Sequence, residues 1–215
     1  MLAVARYLLA DLLRSQYFLA PLLLYLAALA VLFGGDPGAP PGPWAASALV
    51  LCPVSVWLTM TVVHCEDPVQ RSVTVAAVGG WGRLLAGVLG VCVLGDLLLV
   101  AVSVLWPVLK GPYPYGAETV ALGVLAHLAC ALTGTAVGLL CARPVVTRPG
   151  WSVCLASALV LVAVVQPQLP PVGSTVAALG GTVAAPMRVV TVAVVLAVVL
   201  LGAAATVHLV VARRR

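Results

Sequence analysis

The chain predicts an all-α, polytopic membrane fold, and three observations carry that prediction. Hydrophobic residues fill 63% of the 215 positions and charged residues only 8%, against about 25% charged in a soluble domain. The mean hydropathy is +1.20. The apolar runs are continuous over the ~20 residues a membrane-crossing helix needs, whereas a transmembrane barrel would alternate apolar and polar residues. The formal charge of +5 is then topological information, not a sign of nucleic-acid binding.

Residues 2–16 place Arg6, Ala10 and Arg14 at four-residue spacing, with Leu8, Leu9, Leu12 and Leu13 on the other side. This is an amphipathic helix suited to a membrane interface, its arginines available to anionic lipid. Asp11 and Arg14 interrupt the apolar core that a signal peptide would require. Pro21 predicts the turn into a first span over 17–33. The stretch 34–43, GGDPGAPPGP, has no basic residue and cannot be helical, which suggests the outer face. A second span covers 44–63, with Pro53 as an expected kink that neighbouring helices tolerate.

The connection that follows, HCEDPVQRSVTVAAVGG, is where polar residues cluster between apolar runs. Asp67 is a good N-cap, Pro68 suits the first helical position, and Gly79-Gly80 ends the helix, so the spacing predicts a short helix over 68–78. Val69, Val73, Ala76 and Ala77 fall on one face of it and Gln70, Arg71 and Thr74 on another. Further spans are predicted over 83–107, 118–141, 151–166 and 189–211, six in all. Tyrosines in the outer loop 108–116 suit an interface. Residues 167–187 are uncharged and rich in small side chains, which fits either a re-entrant segment covered by protein or a plain outer loop.

The basic residues test this map. Arg6, Arg14, Arg71, Arg83, Arg143, Arg148, Arg213, Arg214 and Arg215 fall on one side, and only Lys110 and Arg188 on the other. That asymmetry places both termini in the cytoplasm of a multi-pass protein of the plasma or inner membrane.

Inside the spans, Asp96 is the costly residue, since ionisable groups at the bilayer centre usually face a partner or a wet cavity. Counting helical rise puts His127 at similar depth, so the two are expected to pair, as a structural contact or as part of a substrate or proton path. Ala126, Cys130, Gly134 and Gly138 recur every four residues and form a small-residue seam for a close helix neighbour, in this chain or a second copy. The six cysteines lie in or at the inner ends of predicted spans and suggest packing residues, not a disulfide framework. No metal site is expected, because His64, Cys65 and Glu66 are adjacent and cannot converge on one ion. The chain carries no phosphate-binding loop, nucleophile elbow or zinc helix, so it is not expected to be an enzyme.

Glu66-Asp67, the predicted helix, Gly79-Gly80 and Arg83-Leu84-Leu85-Ala86-Gly87 resemble, in order and spacing, the coupling segment of ABC-2 type transporter permeases. Val78-Gly79 stands where a proline is common in that family, and Val88 where a lysine often follows the glycine. The resemblance implies a permease subunit, with a second copy or a paralogue, driven by a separate ATP-binding-cassette subunit that holds ATP and magnesium. It implies that Glu66, Asp67, Gln70, Arg71 and Thr74 meet that ATPase, with the apolar face of the helix turned to the bilayer or the chain's own spans. Export is the usual direction, and the sparse charge within the spans suits a hydrophobic or amphipathic substrate. Two other readings fit the residues: a non-transporting accessory or scaffold subunit, and a proton-coupled carrier using Asp96 and His127. The topology is tested by fusing a fluorescent protein that matures only in the cytoplasm after Arg215. Bright cells are expected, and dark cells at equal expression would reverse the map.

Overall fold

The computed structural model describes residues 2–36, 38–110, 113–166 and 169–214. Met1, Pro37, Gly111, Pro112, Pro167, Gln168 and Arg215 lie outside the described residues, and with them parts of the three expected outer connections and the last arginine of the C-terminal cluster. The described residues form nine helices and no strand: α1 (Leu2–Ser15), α2 (Leu19–Leu32), α3 (Pro43–His64), α4 (Pro68–Val78), α5 (Trp81–Lys110), α6 (Ala117–Cys141), α7 (Pro149–Val165), α8 (Val172–Leu179) and α9 (Pro186–Arg214).

Four of these, α3, α5, α6 and α9, are long and apolar enough to cross a membrane. A fifth candidate is α1 with α2, bent by 76° at the short break between them. The bend falls at Gln16, whose φ of 58° is left-handed, and not at Pro21 as expected. Pro21 instead lies in the first turn of α2, where its missing N–H leaves no hydrogen bond unmade. The 17 residues of α7 span ~26 Å at ~1.5 Å per residue, less than a ~30 Å hydrocarbon core. A six-span count therefore rests on α2 and α7, both shorter than that core. The helix of α5 runs through Pro107 to Lys110, beyond the expected end of its span. Within the segment expected to be re-entrant or plain loop, α8 is a folded helix whose Val172, Thr175, Ala178 and Leu179 are buried against α3, α6 and α9.

The core divides along the bundle axis. Tyr25, Leu29, Trp44, Leu51, Leu122, Leu179 and Val190 form one cluster where α3 and α6 begin. Val4, Leu8, Leu12, Val63, Leu84, Leu85 and Leu139 form another where they end, with α1 laid across α5. The α3–α6 pair links the two halves, and the predicted seam is its cause. A Cβ added at Gly134 would meet the Cys52 carbonyl oxygen, and 2.8 Å away the Cβ of Ser55; one at Gly138 would lie 2.7 Å from the Cβ of Thr59 and 2.9 Å from the Val56 oxygen. Ala126 and Cys130 are fully buried in the same row. The seam thus seats a helix of the same chain. Gly123 extends it, with Trp44 2.6 Å from where its Cβ would be. The contacts advance together, Trp44 with Gly123 and Thr59 with Gly138, so the two helices run parallel.

Gly138→Val and Gly134→Leu each force backbone apart and are expected to destabilise the bundle by at least ~1–3 kcal/mol. Gly202→Ala, at a helical position with open space around it, is expected to be neutral or slightly stabilising. Detergent unfolding midpoints check both, and equal midpoints for the three variants would remove the seam's structural role.

Candidate functional site

The α3–α5 connection concentrates polar chemistry as its sequence suggested. Asp67 caps α4 from an extended backbone (φ −69°, ψ 163°), its Oδ1 accepting from the backbone N–H of Val69 at 2.8 Å and of Gln70 at 2.9 Å. Pro68 opens the helix, and Gly79 ends it at φ 80°. The N–H groups of Gly79 and Gly80 both donate to the Val75 carbonyl, and Arg83 Nη1 donates to the Val78 carbonyl at 3.1 Å. Both ends of α4 are therefore satisfied by residues its own sequence supplies.

The expected apolar face of α4 points away from the chain's own spans, the side a bilayer interface would cover. The polar residues of α4 turn in towards the bundle. Arg71 Nη1 donates to the Val63 carbonyl in the last turn of α3 at 2.9 Å, and its guanidinium lies 6.0 Å from the centre of the Trp81 ring. Burial pushes the Arg71 guanidinium below its usual range, and the nearby charge of Glu66 opposes that push. Glu66 is 8% exposed and its Oε1 accepts from Thr74 Oγ1 at 2.7 Å. Gln70 Nε2 donates to the Tyr7 hydroxyl of α1 at 2.7 Å. Cys65, just before the helix, donates from Sγ to Asp11 Oδ2 of α1 at 3.2 Å.

What faces outward is mostly apolar, with Ser72 the polar exception. Val69 is 74% exposed and Val73 64%, and Ala76 and Ala77 are exposed beside them. The physical reason lies at the end of α3, which leaves carbonyls without helical partners. A cation satisfies such an end better than a valine can, and burying Glu66 without donors would cost more than exposing two small apolar side chains. Among the five residues expected to meet a partner, only Asp67 is exposed; Gln70, Arg71 and Thr74 are half-buried, and Glu66 is buried.

Asp96 and His127 are both buried but do not pair. Asp96 Oδ2 accepts from Thr135 Oγ1 at 2.6 Å. His127 Nδ1 is 2.7 Å from the Gly123 carbonyl and Nε2 is 3.0 Å from Ser47 Oγ of α3. In the neutral ring Nδ1–H donates to the carbonyl and Nε2 accepts from the serine. Thr135 lies eight residues beyond His127, ~12 Å at helical rise, so the register of α5 against α6 is offset by about two turns from the one that counting suggested. No group of three or more His, Cys, Asp or Glu that could hold a metal ion occurs among the described residues.

One further feature was not read from the sequence. A cavity of about 980 Å³ opens between the start of α2, α3 and α7. Tyr17, Thr61 and His64 line one end, while Pro53, Val56 and Val160 carry it into the apolar part of the bundle. Polar residues near one end of span two were the only signal for it, and α7's position beside them required the fold.

Comparison of the chain with family models, characterised proteins and solved structures returns no match.

The Cys65 thiol gives a pH test of the site. Burial, then the hydrogen bond to Asp11, push it from 9.0 up to about 11. Thiolate is the species that reacts with maleimide, so alkylation of Cys65 is expected to be slow at neutral pH and to rise about tenfold per pH unit in alkali. Asp11→Asn removes the negative acceptor and is expected to speed alkylation at fixed pH, as peptide mass spectrometry would read.

Proposed function

We propose that this chain is the permease subunit of an ABC-2 type transporter, exporting a hydrophobic or amphipathic substrate with energy from a separate ATP-binding-cassette subunit. The single observation that carries the reading is α4: a short helix capped at both ends, tied inward by Gln70, Arg71 and Thr74, and presenting the small apolar ridge of Val69, Val73, Ala76 and Ala77. A helix tied on one side and exposed on the other has the form that a coupling element needs. On this reading the ridge, and not the polar face, enters the ATPase groove. Arg71 then passes the displacement into the end of α3, and Gln70 passes it into α1. Both termini lie in the cytoplasm, α1 lies along the inner interface, and α2 and α7 complete six spans in a bilayer thinned or tilted to suit them.

The cavity between α2, α3 and α7 supports the substrate class. A long apolar recess with Tyr17, Thr61 and His64 at one end matches a molecule with a polar head and an apolar body. A second copy, as the family arrangement implies, would complete the transporter.

Two valines on an exposed face can be charged without disturbing the core. Val69→Asp and Val73→Asp are expected to express and fold as the parent does, yet to lose co-purification of the ATPase or its change in hydrolysis rate by tenfold or more. Gln70→Ala is expected to keep the ATPase bound and weaken the change in rate. If no ATP-binding subunit associates with the parent protein, the accessory-subunit reading replaces this one.

A further inference from the structure

Asp96 lies near the middle of α5 and is 2% exposed, but only half of its carboxylate is satisfied. Oδ2 accepts from Thr135 Oγ1 of α6 at 2.6 Å, and Thr135 in turn accepts from Thr59 Oγ1 of α3 at 3.4 Å. Oδ1 has no hydrogen-bond partner. Ser55, fully buried on α3 and directed at Asp96, has an Oγ that is also without one. Two buried oxygens on neighbouring helices thus lack hydrogen-bond partners, which native structures rarely allow.

The surroundings supply no counter-charge. The elements packed against this part of α5 include α3 and α6, while α1 and α2 bring only apolar side chains to a small cavity beside Leu94, Gly95 and Leu98. The groups facing Asp96 are Ser55 and the Cys52 thiol from α3 and Thr135 from α6, with the Cys92 thiol one turn away on α5 itself. His127 is held by Ser47 and Gly123, and no cationic side chain bonds either carboxylate oxygen. An ionised Asp96 would be a bare negative charge in a buried, low-dielectric interior, which proteins avoid by pairing the charge or neutralising it. The Ser55 hydroxyl hydrogen can satisfy Oδ1 by itself, but only a proton on Oδ1 also removes the charge. That proton gives Ser55 Oγ a donor, while Oδ2 goes on accepting from Thr135.

We propose that Asp96, Ser55 and Thr135 form an intramembrane proton-binding site, with the proton on Asp96 Oδ1 and accepted by Ser55 Oγ. A continuous chain then runs from Thr59 to Thr135 to Asp96 to Ser55, leaving α3 at one turn and returning to it one turn away through α6 and α5. Release of the proton breaks the Asp96–Ser55 link and puts a charge against α3, so the α3–α5 contact follows occupancy while the glycine seam between α3 and α6 is untouched. The site stands independently of the transporter reading.

The test uses the full chain in lipid nanodiscs and infrared difference spectra between acid and alkaline buffer. A protonated-carboxyl stretch is expected in the parent, absent in Asp96→Asn and moved in frequency in Ser55→Ala, which loses the acceptor. Asp96→Asn keeps both contacts, its amide donating to Ser55 and its carbonyl accepting from Thr135. Its unfolding midpoint is therefore expected to lack the alkaline decline attributed to this site in the parent. If Asp96→Asn does not fold, the shifted stretch in Ser55→Ala carries the test. Parent and Ser55→Ala spectra that superimpose throughout would overturn the proposal. So would a midpoint that rises with sodium at constant ionic strength in the parent and not in Asp96→Asn, because the occupant would then be a sodium ion.

Discussion

The approach of α3 to α6 along Gly123, Gly134 and Gly138 is the constraint on which the other contacts depend. Helices in lipid gain little from simple apolar contact, because the surrounding tails are equally apolar. They associate where small residues let backbones come close and where polar side chains find partners. Both conditions are met on this one pair. The glycines bring Ser47 to His127 and Thr59 to Thr135, so the same proximity that packs the backbones also satisfies the hydroxyls. With the pair fixed, α5 completes one side through Asp96, α9 packs along α6, and α8 closes over the ends where Trp44 and Leu122 meet.

A second ordering principle acts at the opposite end of the bundle. The last turn of α3 presents unpaired carbonyls and is followed within two residues by a buried acid, Glu66. Donors must be brought there, and Arg71 and Thr74 bring them from α4. The cost is a row of exposed valine and alanine on the far side of that helix. The row is too small to be an aggregation hazard of the kind that large apolar patches create.

These two regions differ in how much of them could be read from the chain. The ends of α4 were legible because capping is local: Asp67-Pro68 and Gly79-Gly80 determine them whatever surrounds the helix. The small-residue row from Ala126 to Gly138 was legible for the same reason, its spacing being a property of one helix. Which way α4 turns was not, because the demand that orients it comes from the Val63 carbonyl and the Tyr7 hydroxyl, residues distant in the chain or invisible as side chains. The partner of Asp96 was missed because depth alone does not determine register. His127 belongs to the α3-facing row that begins at Gly123, and Thr135 stands two turns further along. Gln16 shows the limit most plainly. A corner at a polar, non-glycine residue carries no turn signal, whereas Pro21, which does, sits harmlessly in a helix's first turn.

That corner has a geometric corollary. Tyr7 and Asp11 tie α1 to the α4 region, and α1 continues through Gln16 into α2 with only three residues between the helices. The two helices meet at 76°, so contacts made along α1 fix the direction in which α2 sets out. The α4 region is thus joined to the wall of the α2–α3–α7 cavity by two separate sets of contacts, a direct one through α3 and an angled one through α1, and Tyr17, at the elbow, is where the second meets the cavity's polar end.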